Sequence, residues 1–323
     1  YIPHIVVPVF TATDVCEGQV AVFNNKSTLT KGVAQYKWKF NDKGTPEDSS
    51  FLIDPIFNFS TYGIYNVEMT AWNNAYPKFT TSYNRNVTVT PIPQISFKVQ
   101  NACEKVAVKF VNSTTLPIPG TITYNWDFGD PTTTLDKSST KDASWIYTNP
   151  GGYKVTLRAT ANGCTGELVK NANQFATPKA TFNAPSLICD KSDVQFTNTS
   201  TIKLGNMGYT WNFGDGGVSN FANPVHQFAD AASKTVKMKA VSEFGCSDSI
   251  SKTITLSESP NADFTWGPAC NQSNTNFTFT GSKPAAPAIT NFNWNFAGEG
   301  TTTVENPSKL FGVVGKKKAN PSL

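Results

Sequence analysis

A chain of 323 residues is too long for one small sandwich and suits two to four domains. Only 15% of it is charged, but 39% is hydrophobic and 12% aromatic, which excludes a disordered chain. The net charge of +4, with Lys316 to Lys318 as its one notable basic run, excludes the basic stripe that nucleic-acid binding needs. No apolar run approaches the ~18 residues of a membrane-spanning helix, so membrane insertion is not expected.

The first seven residues read as the end of a preceding repeat or a leader strand. Ile5-Val6-Val7 is stopped at once by Pro8, and Tyr1-Ile2-Pro3-His4 carries no basic signal-peptide start. From Pro8 onward the chain repeats itself. Repeat 1 (8–91) opens on Pro8, followed by Cys16, Phe23-Asn24-Asn25, Tyr36-Lys37-Trp38-Lys39-Phe40 and the turn Asp54-Pro55. Repeat 2 (92–177) has Pro93, Cys103, Phe110-Val111-Asn112 and Tyr124-Asn125-Trp126-Asp127-Phe128. Repeat 3 (178–259) has Pro178, Cys189, Phe196-Thr197-Asn198, Tyr209-Thr210-Trp211-Asn212-Phe213 and Asn223-Pro224. Repeat 4 (260–323) has Pro260, Cys270, Phe279-Thr280-Gly281, Phe292-Asn293-Trp294-Asn295-Phe296 and Asn306-Pro307. Alignment of Phe311 with Phe228 sets Leu323 opposite Ala240, so the fourth repeat is expected to be incomplete. Either the chain continues, or another subunit donates a strand.

The period, 88, 85 and 83 residues from Trp to Trp, fits one β-sandwich. Tyr65, Val67, Met69 and Ala71 fall on one strand face, as do Tyr153, Val155, Leu157 and Ala159, and no stretch has a helical period. The chain is therefore expected to be all-β: four tandem immunoglobulin-like sandwiches forming an elongated rod. In each Tyr/Phe-x-Trp-x-Phe string, alternation turns the aromatics inward. Trp38, Trp126, Trp211 and Trp294, with Phe40, Phe128, Phe213 and Phe296, are the expected core. At ~25 cal/mol per Å² and ~150–250 Å² per ring they contribute several kcal/mol to each sandwich. The linkers Thr90-Pro91-Ile92-Pro93, Ala176-Thr177-Pro178 and Glu258-Ser259-Pro260 are short and contain no Gly/Ser tract, which favours stiff joints.

Trp126-Asp127-Phe128-Gly129-Asp130 and Trp211-Asn212-Phe213-Gly214-Asp215-Gly216 resemble the signature of the polycystic-kidney-disease (PKD) domain. Pro150-Gly151-Gly152-Tyr153-Lys154-Val155 and Asn223-Pro224-Val225-His226-Gln227-Phe228 are similar to that family as well. Repeats 1 and 4 depart from the signature, with Trp38-Lys39-Phe40-Asn41-Asp42 and Trp294-Asn295-Phe296-Ala297-Gly298. The resemblance implies immunoglobulin-like modules of cell-surface proteins, surface layers and secreted polymer-degrading enzymes. A Cys before the second strand and a Gly-Cys after the sixth resemble the style of large Bacteroidota surface adhesins. Such proteins are exported by the type IX pathway and serve adhesion or gliding motility.

The six cysteines occupy repeat-equivalent places, which argues for disulfides and an oxidising compartment. In an immunoglobulin-like sandwich the early and late cysteines of one repeat lie at opposite ends. A strand of about seven residues separates them by roughly 23 Å, whereas a disulfide needs Cα atoms within about 7 Å. Stapling between neighbouring repeats, Cys16–Cys164 and Cys103–Cys246, satisfies both constraints and leaves Cys189 for a cysteine beyond residue 323. The alternative is pairing within repeats, Cys103–Cys164 and Cys189–Cys246, with Cys16 free.

Little else points to chemistry. His226 has Phe57, Trp145 and Lys309 as its repeat equivalents, which marks a packing position, and His4 has no visible partner. No nucleophile–base–acid set can be assembled, so neither catalytic residues nor a cofactor are expected. Asp127, Asp130 and Asp215 bring calcium to mind, but Gly129, Asp130, Gly214 and Asp215 read as turn residues, and no metal is expected. Trp72 and Trp145 lie outside the recurring string and are candidates for surface contact. Asn25, Asn112 and Asn198 head Asn-x-Ser/Thr triplets at one repeat position, which suggests a structural turn.

The function expected is a non-catalytic extracellular stalk or adhesin segment that presents a distal tip. The expected partners are other repeats of the same longer chain. The competing readings are polysaccharide- or protein-binding accessory modules of a secreted hydrolase, and a self-associating filament subunit.

Overall fold

The computed structural model describes residues 4–43, 48–268, 273–283, 288–312 and 319–322. Tyr1 to Pro3, Cys270, Asn271, Lys316 to Lys318 and Leu323 lie outside them. The described residues are all-β and contain no α-helix.

Repeat 1 comprises β1 (Phe10–Ala12), β2 (Val15–Cys16), β3 (Ala21–Asn25), β4 (Ala34–Lys39), β5 (Ser49–Ser50), β6 (Ile56–Phe57), β7 (Gly63–Asn73) and β8 (Thr80–Thr90). One sheet has the order β1-β3-β6 and the other β2-β8-β7-β4-β5. All pairs are antiparallel except β2 with β8, where Val15 lies beside Val89 and Cys16 beside Thr90. Repeat 2 copies this order with β9 (Phe97–Gln100), β10 (Ala102–Cys103), β11 (Val108–Asn112), β12 (Thr123–Asp127), β13 (Lys137–Ser138), β14 (Ala143–Trp145), β15 (Gly151–Ala161) and β16 (Cys164–Phe175). Its sheets run β14-β11-β9 and β10-β16-β15-β12-β13.

Repeat 3 comprises β17 (Phe182–Asn183), β18 (Asp193–Gln195), β19 (Thr197–Asn198), β20 (Met207–Asn212), β21 (Val218–Ser219), β22 (Val225–Gln227), β23 (Lys234–Ser242) and β24 (Ser247–Ile254). Its second strand is split into β18 and β19, and a parallel bridge from Cys189 to Ser257 stands where β2–β8 stands in repeat 1. Repeat 4 comprises β25 (Phe264–Trp266), β26 (Asn274–Phe279), β27 (Asn293–Asn295), β28 (Thr301–Thr302), β29 (Ser308–Leu310) and β30 (Asn320–Ser322), in sheets β25-β26-β29 and β28-β27-β30. The chain divides into two compact units, residues 1–174 and 175–323, with two sandwiches in each.

Each sandwich has its own core. Trp38, Trp126, Trp211 and Trp294 are fully buried, and Phe40, Phe128, Phe213 and Phe296 nearly so. The first-strand phenylalanine of each repeat presents its edge to the tryptophan, with centroids 4.8 Å apart for Phe10–Trp38, 5.0 Å for Phe97–Trp126, 5.0 Å for Phe182–Trp211 and 5.2 Å for Phe264–Trp294. Such edge-to-face contacts add ~0.5–1.5 kcal/mol each beyond the area they bury.

Two register readings are corrected. Val7 pairs with Thr28 as Gln94 does with Thr115, Lys179 with Thr201 and Asn261 with Ser282. Residues 4–7 therefore lead into repeat 1, as the leader-strand alternative has it, and Val6, not Pro8, takes the place of Pro93. The buried second-strand phenylalanine of repeat 4 is Phe277, 5.7 Å from Trp294, as Phe23 is 5.6 Å from Trp38. Phe279 pairs with Phe264 where Asn25 pairs with Phe10. Alternation makes such two-residue slips invisible from pattern alone, because both registers turn the same face inward.

Candidate functional site

Two local arrangements stand out, one inside the sandwiches and one at the joint between repeats 1 and 2. The first is the turn after the Trp-x-Phe strand and the side chain that covers it. In repeat 2, Gly129 takes φ +66°, and a Cβ there would come within 2.2 Å of the Lys154 carbonyl oxygen. In repeat 3, Gly214 takes φ +83°, and a Cβ would meet the Thr235 carbonyl at 2.7 Å. Only glycine fits so close to the neighbouring strand.

The aspartate that follows each glycine turns inward. Asp130 is 4% exposed and accepts from the Thr132 amide and hydroxyl and, at 3.2 Å, from the Trp145 indole N–H. Asp215 accepts from the Gly217 amide at 2.9 Å and from His226 Nε2 at 2.7 Å. Burial works to raise both carboxyl pKa values, but these donors outweigh it, so each lies below the ordinary value. Tyr147, buried beneath this turn, donates to the Phe128 carbonyl, and burial together with the Asp130 charge pushes its hydroxyl pKa upward.

The covering side chain lies over the phenylalanine of the strand. Phe57 stacks on Phe40 at 4.1 Å, Trp145 on Phe128 at 5.4 Å and His226 on Phe213 at 4.0 Å, and the Lys309 ammonium sits 5.9 Å from the Phe296 ring. Trp145 is thereby half-buried, with its indole N–H engaged by Asp130. Trp72 is half-buried on β7, in register with Gln35 and Thr80. The indole–Asp130 and imidazole–Asp215 pairs are absent from the reading by sequence. The signal was available: the two repeats with Phe-Gly-Asp carry a ring N–H at the covering position, and the other two do not.

Asp127 bonds the Gly129 amide and pairs with Lys137 at 2.9 Å, an exposed contact worth little. His4 Nδ1 lies 2.9 Å from the Thr30 hydroxyl. The side-chain oxygens of Asn25, Asn112 and Asn198 accept from the amides of Ser27, Thr114 and Ser200, an Asx turn at one place in three repeats. The Asn25 and Asn112 amide nitrogens are buried beneath these turns.

The second arrangement is a disulfide between Cys16 and Cys164, whose Cα atoms are 5.6 Å apart although the residues are 148 positions apart in the chain. Cys16 ends β2 beside Thr90, where the chain leaves repeat 1, and the next amide, of Glu17, donates to the Thr90 carbonyl. Cys164 follows the tight Asn162-Gly163 turn that opens β16, and it is 3% exposed. The bond therefore ties the exit of repeat 1 to the hairpin tip of repeat 2. Cys103 and Cys246 are also disulfide-bonded, whereas Cys189 is a free thiol. The alternative pairing within repeats, Cys103–Cys164 with Cys189–Cys246, is excluded, because Cys164 is engaged by Cys16 and Cys189 is unoxidised.

Strand order, recurring cores and glycine turns define a tandem array of immunoglobulin-like sandwiches. The PKD domain profile matches residues 88–173 and 175–258, more than half of the chain. The chain belongs to the PKD domain family. It is similar to the PKD1 domain of the Vibrio cholerae metalloprotease PrtV, at 31% identity over 25% of this chain and 96% of that one, with a TM-score of 0.23. The PKD1 domain of Vibrio anguillarum Epp matches at 25% identity over 25% of this chain and 93% of that one, also with a TM-score of 0.23. Three N-terminal domains of the bacteriophage RB49 outer capsid protein Hoc match at 9% identity over 78% of this chain and 97% of that one, with a TM-score of 0.37. PKD domains commonly serve as extracellular adhesion or structural modules and are generally non-catalytic. Disulfides are likewise typical of extracellular proteins.

Proposed function

We propose that these repeats form a non-catalytic extracellular spacer, a stalk segment of a longer surface protein that holds a functional tip away from the cell. The observation that carries this reading is the Cys16–Cys164 bond. It closes a joint between successive sandwiches into a covalent ring, which suits a module whose task is to keep its neighbour in place. The proline-containing linkers work in the same direction. By repeat equivalence, Cys103 takes Cys246 as its partner, so that stapling continues along the chain. The placement of the cysteines is the feature that supports a Bacteroidota-type surface adhesin, exported by the type IX pathway.

Small-angle scattering and electron microscopy of the oxidised protein test the reading. An 11-residue strand such as β7 is roughly 36 Å long. Four sandwiches end to end then give a maximum dimension of roughly 140 Å. A particle much shorter than that would overturn the stalk. Retention of the protein on an insoluble polysaccharide or protein polymer would instead favour accessory binding modules, and concentration-dependent fibres would favour a filament subunit. Non-reducing peptide mapping reads the Cys103–Cys246 bridge directly.

A further inference from the structure

We propose that the Cys16–Cys164 disulfide is a mechanical shunt, which carries tension past residues 17–163 so that these two repeats cannot be drawn out while it is intact. The proposal deepens the spacer reading and rests on it for its biological meaning, but the shunt itself is a property of this molecule's connectivity.

Consider a pull applied ahead of β1 and beyond β16. Without the bond, force enters repeat 1 at β1, leaves through β8, crosses the linker at Thr90 and enters repeat 2 at β9. Every strand between then lies on the load-bearing path once its hydrogen bonds fail. With the bond, the covalent path runs from β1 through β2 to Cys16, across the sulfur pair to Cys164, and out along β16. The 148-position separation of the two cysteines is removed from that path. Only two segments can still lengthen: the stretch from β1 to Cys16, and β16 itself.

The placement of the half-cystines fits this role. Cys16 sits beside Thr90 in the parallel β2–β8 pair, so force leaves repeat 1 close to where the chain itself leaves. Cys164 opens β16, which is paired along its length with β15, from Cys164 beside Ala161 to Gln174 beside Gly151. A peeled β16 has that whole partner strand waiting, and the rest of repeat 2 remains tethered and unloaded. Re-formation then needs only local pairing, not the refolding of two sandwiches. A disulfide within one sandwich would protect that sandwich alone; this one encloses most of two.

The test is single-molecule pulling on the full chain, with handles at the N-terminus and at Thr177, so that linkages beyond residue 177 do not enter the measured path. In the oxidised protein, complete extension is expected to add only the contour of the two short segments. In the paired variant Cys16→Ser/Cys164→Ser, unfolding is expected to release about 500 Å more, at ~3.5 Å per residue. Should that variant fail to fold, adding a dithiol to the wild-type protein gives the same comparison. The dithiol supplies two electrons and two protons, becomes a cyclic disulfide itself, and leaves Cys16 and Cys164 as thiols. Equal contour lengths with and without the bond would overturn the shunt. A shunt that holds in a protein whose scattering gives a short particle would refute the stalk and leave the shunt standing.

Discussion

The imidazole of His226 lies flat on the ring of Phe213, with centroids 4.0 Å apart and planes inclined by 4°, while its Nε2–H reaches Asp215. One side chain thus caps the core and satisfies the turn. His226→Ala removes the stack and leaves the Asp215 carboxylate one donor short. We expect it to destabilise repeat 3 by about 1–3 kcal/mol. His226→Trp, the side chain that repeat 2 uses here, is expected to recover part of the loss. Chemical denaturation followed by tryptophan fluorescence reads both.

The same turn makes stability pH-dependent at the acid end. The Asp215 carboxyl is held below its ordinary value near 3.8 in the folded state, by donors that outweigh burial. A depressed folded pKa contributes stability that is complete above the unfolded value and is lost as pH falls through the folded one. Asp215→Asn is therefore expected to flatten the decline in stability below about pH 4. Melting temperatures of both proteins between pH 2 and pH 7, with roughly one-unit steps, make the comparison; parallel curves would refute it.

Two glycines with similar backbone angles are expected to respond differently to alanine. Gly163 has φ +82° with nothing near its would-be Cβ, so Gly163→Ala carries only the left-handed strain of ~1–2 kcal/mol. Gly129→Ala adds a clash against backbone at the Lys154 carbonyl. We expect Gly129→Ala to be the more damaging by at least about 2 kcal/mol, as measured by thermal unfolding.

The four core tryptophans are equivalent in packing but not in bonding. The indoles of Trp38, Trp126 and Trp211 donate to the carbonyls of Leu52, Thr140 and Phe221. The buried Trp294 N–H has no partner among the described residues. Trp211→Phe forfeits a hydrogen bond and strands an acceptor, whereas Trp294→Phe removes an unsatisfied donor. The first is expected to cost about 1 kcal/mol more than the second. Per-repeat stabilities from hydrogen exchange would show the difference.

Much of this protein is written into local pattern. The inward alternation of Tyr36, Trp38 and Phe40, repeated at an ~85-residue period, determines sandwiches whatever their neighbours do, because side-chain direction in a strand has period two. The Phe-Gly-Asp strings determine the turns at Gly129 and Gly214 for the same local reason: a left-handed backbone pressed against a strand admits no Cβ. The cysteine spacing favoured stapling between neighbouring repeats and left pairing within one repeat open.

What tertiary structure decided are relationships between residues remote in the chain. Pattern alone does not tell Phe277 from Phe279 as the core residue, since both point inward and only pairing with β25 separates them. Nor does it reveal that Trp145 and His226 serve the aspartate of their own repeat's turn, which depends on the stacking of one sheet over the other. The lead-in at Val7 joins repeat 1 through its bridge to Thr28, a contact that local composition does not carry. The bond from Cys16 to Cys164 is the extreme case: its two halves, 148 positions apart, meet only where the exit of repeat 1 comes against the hairpin tip of repeat 2.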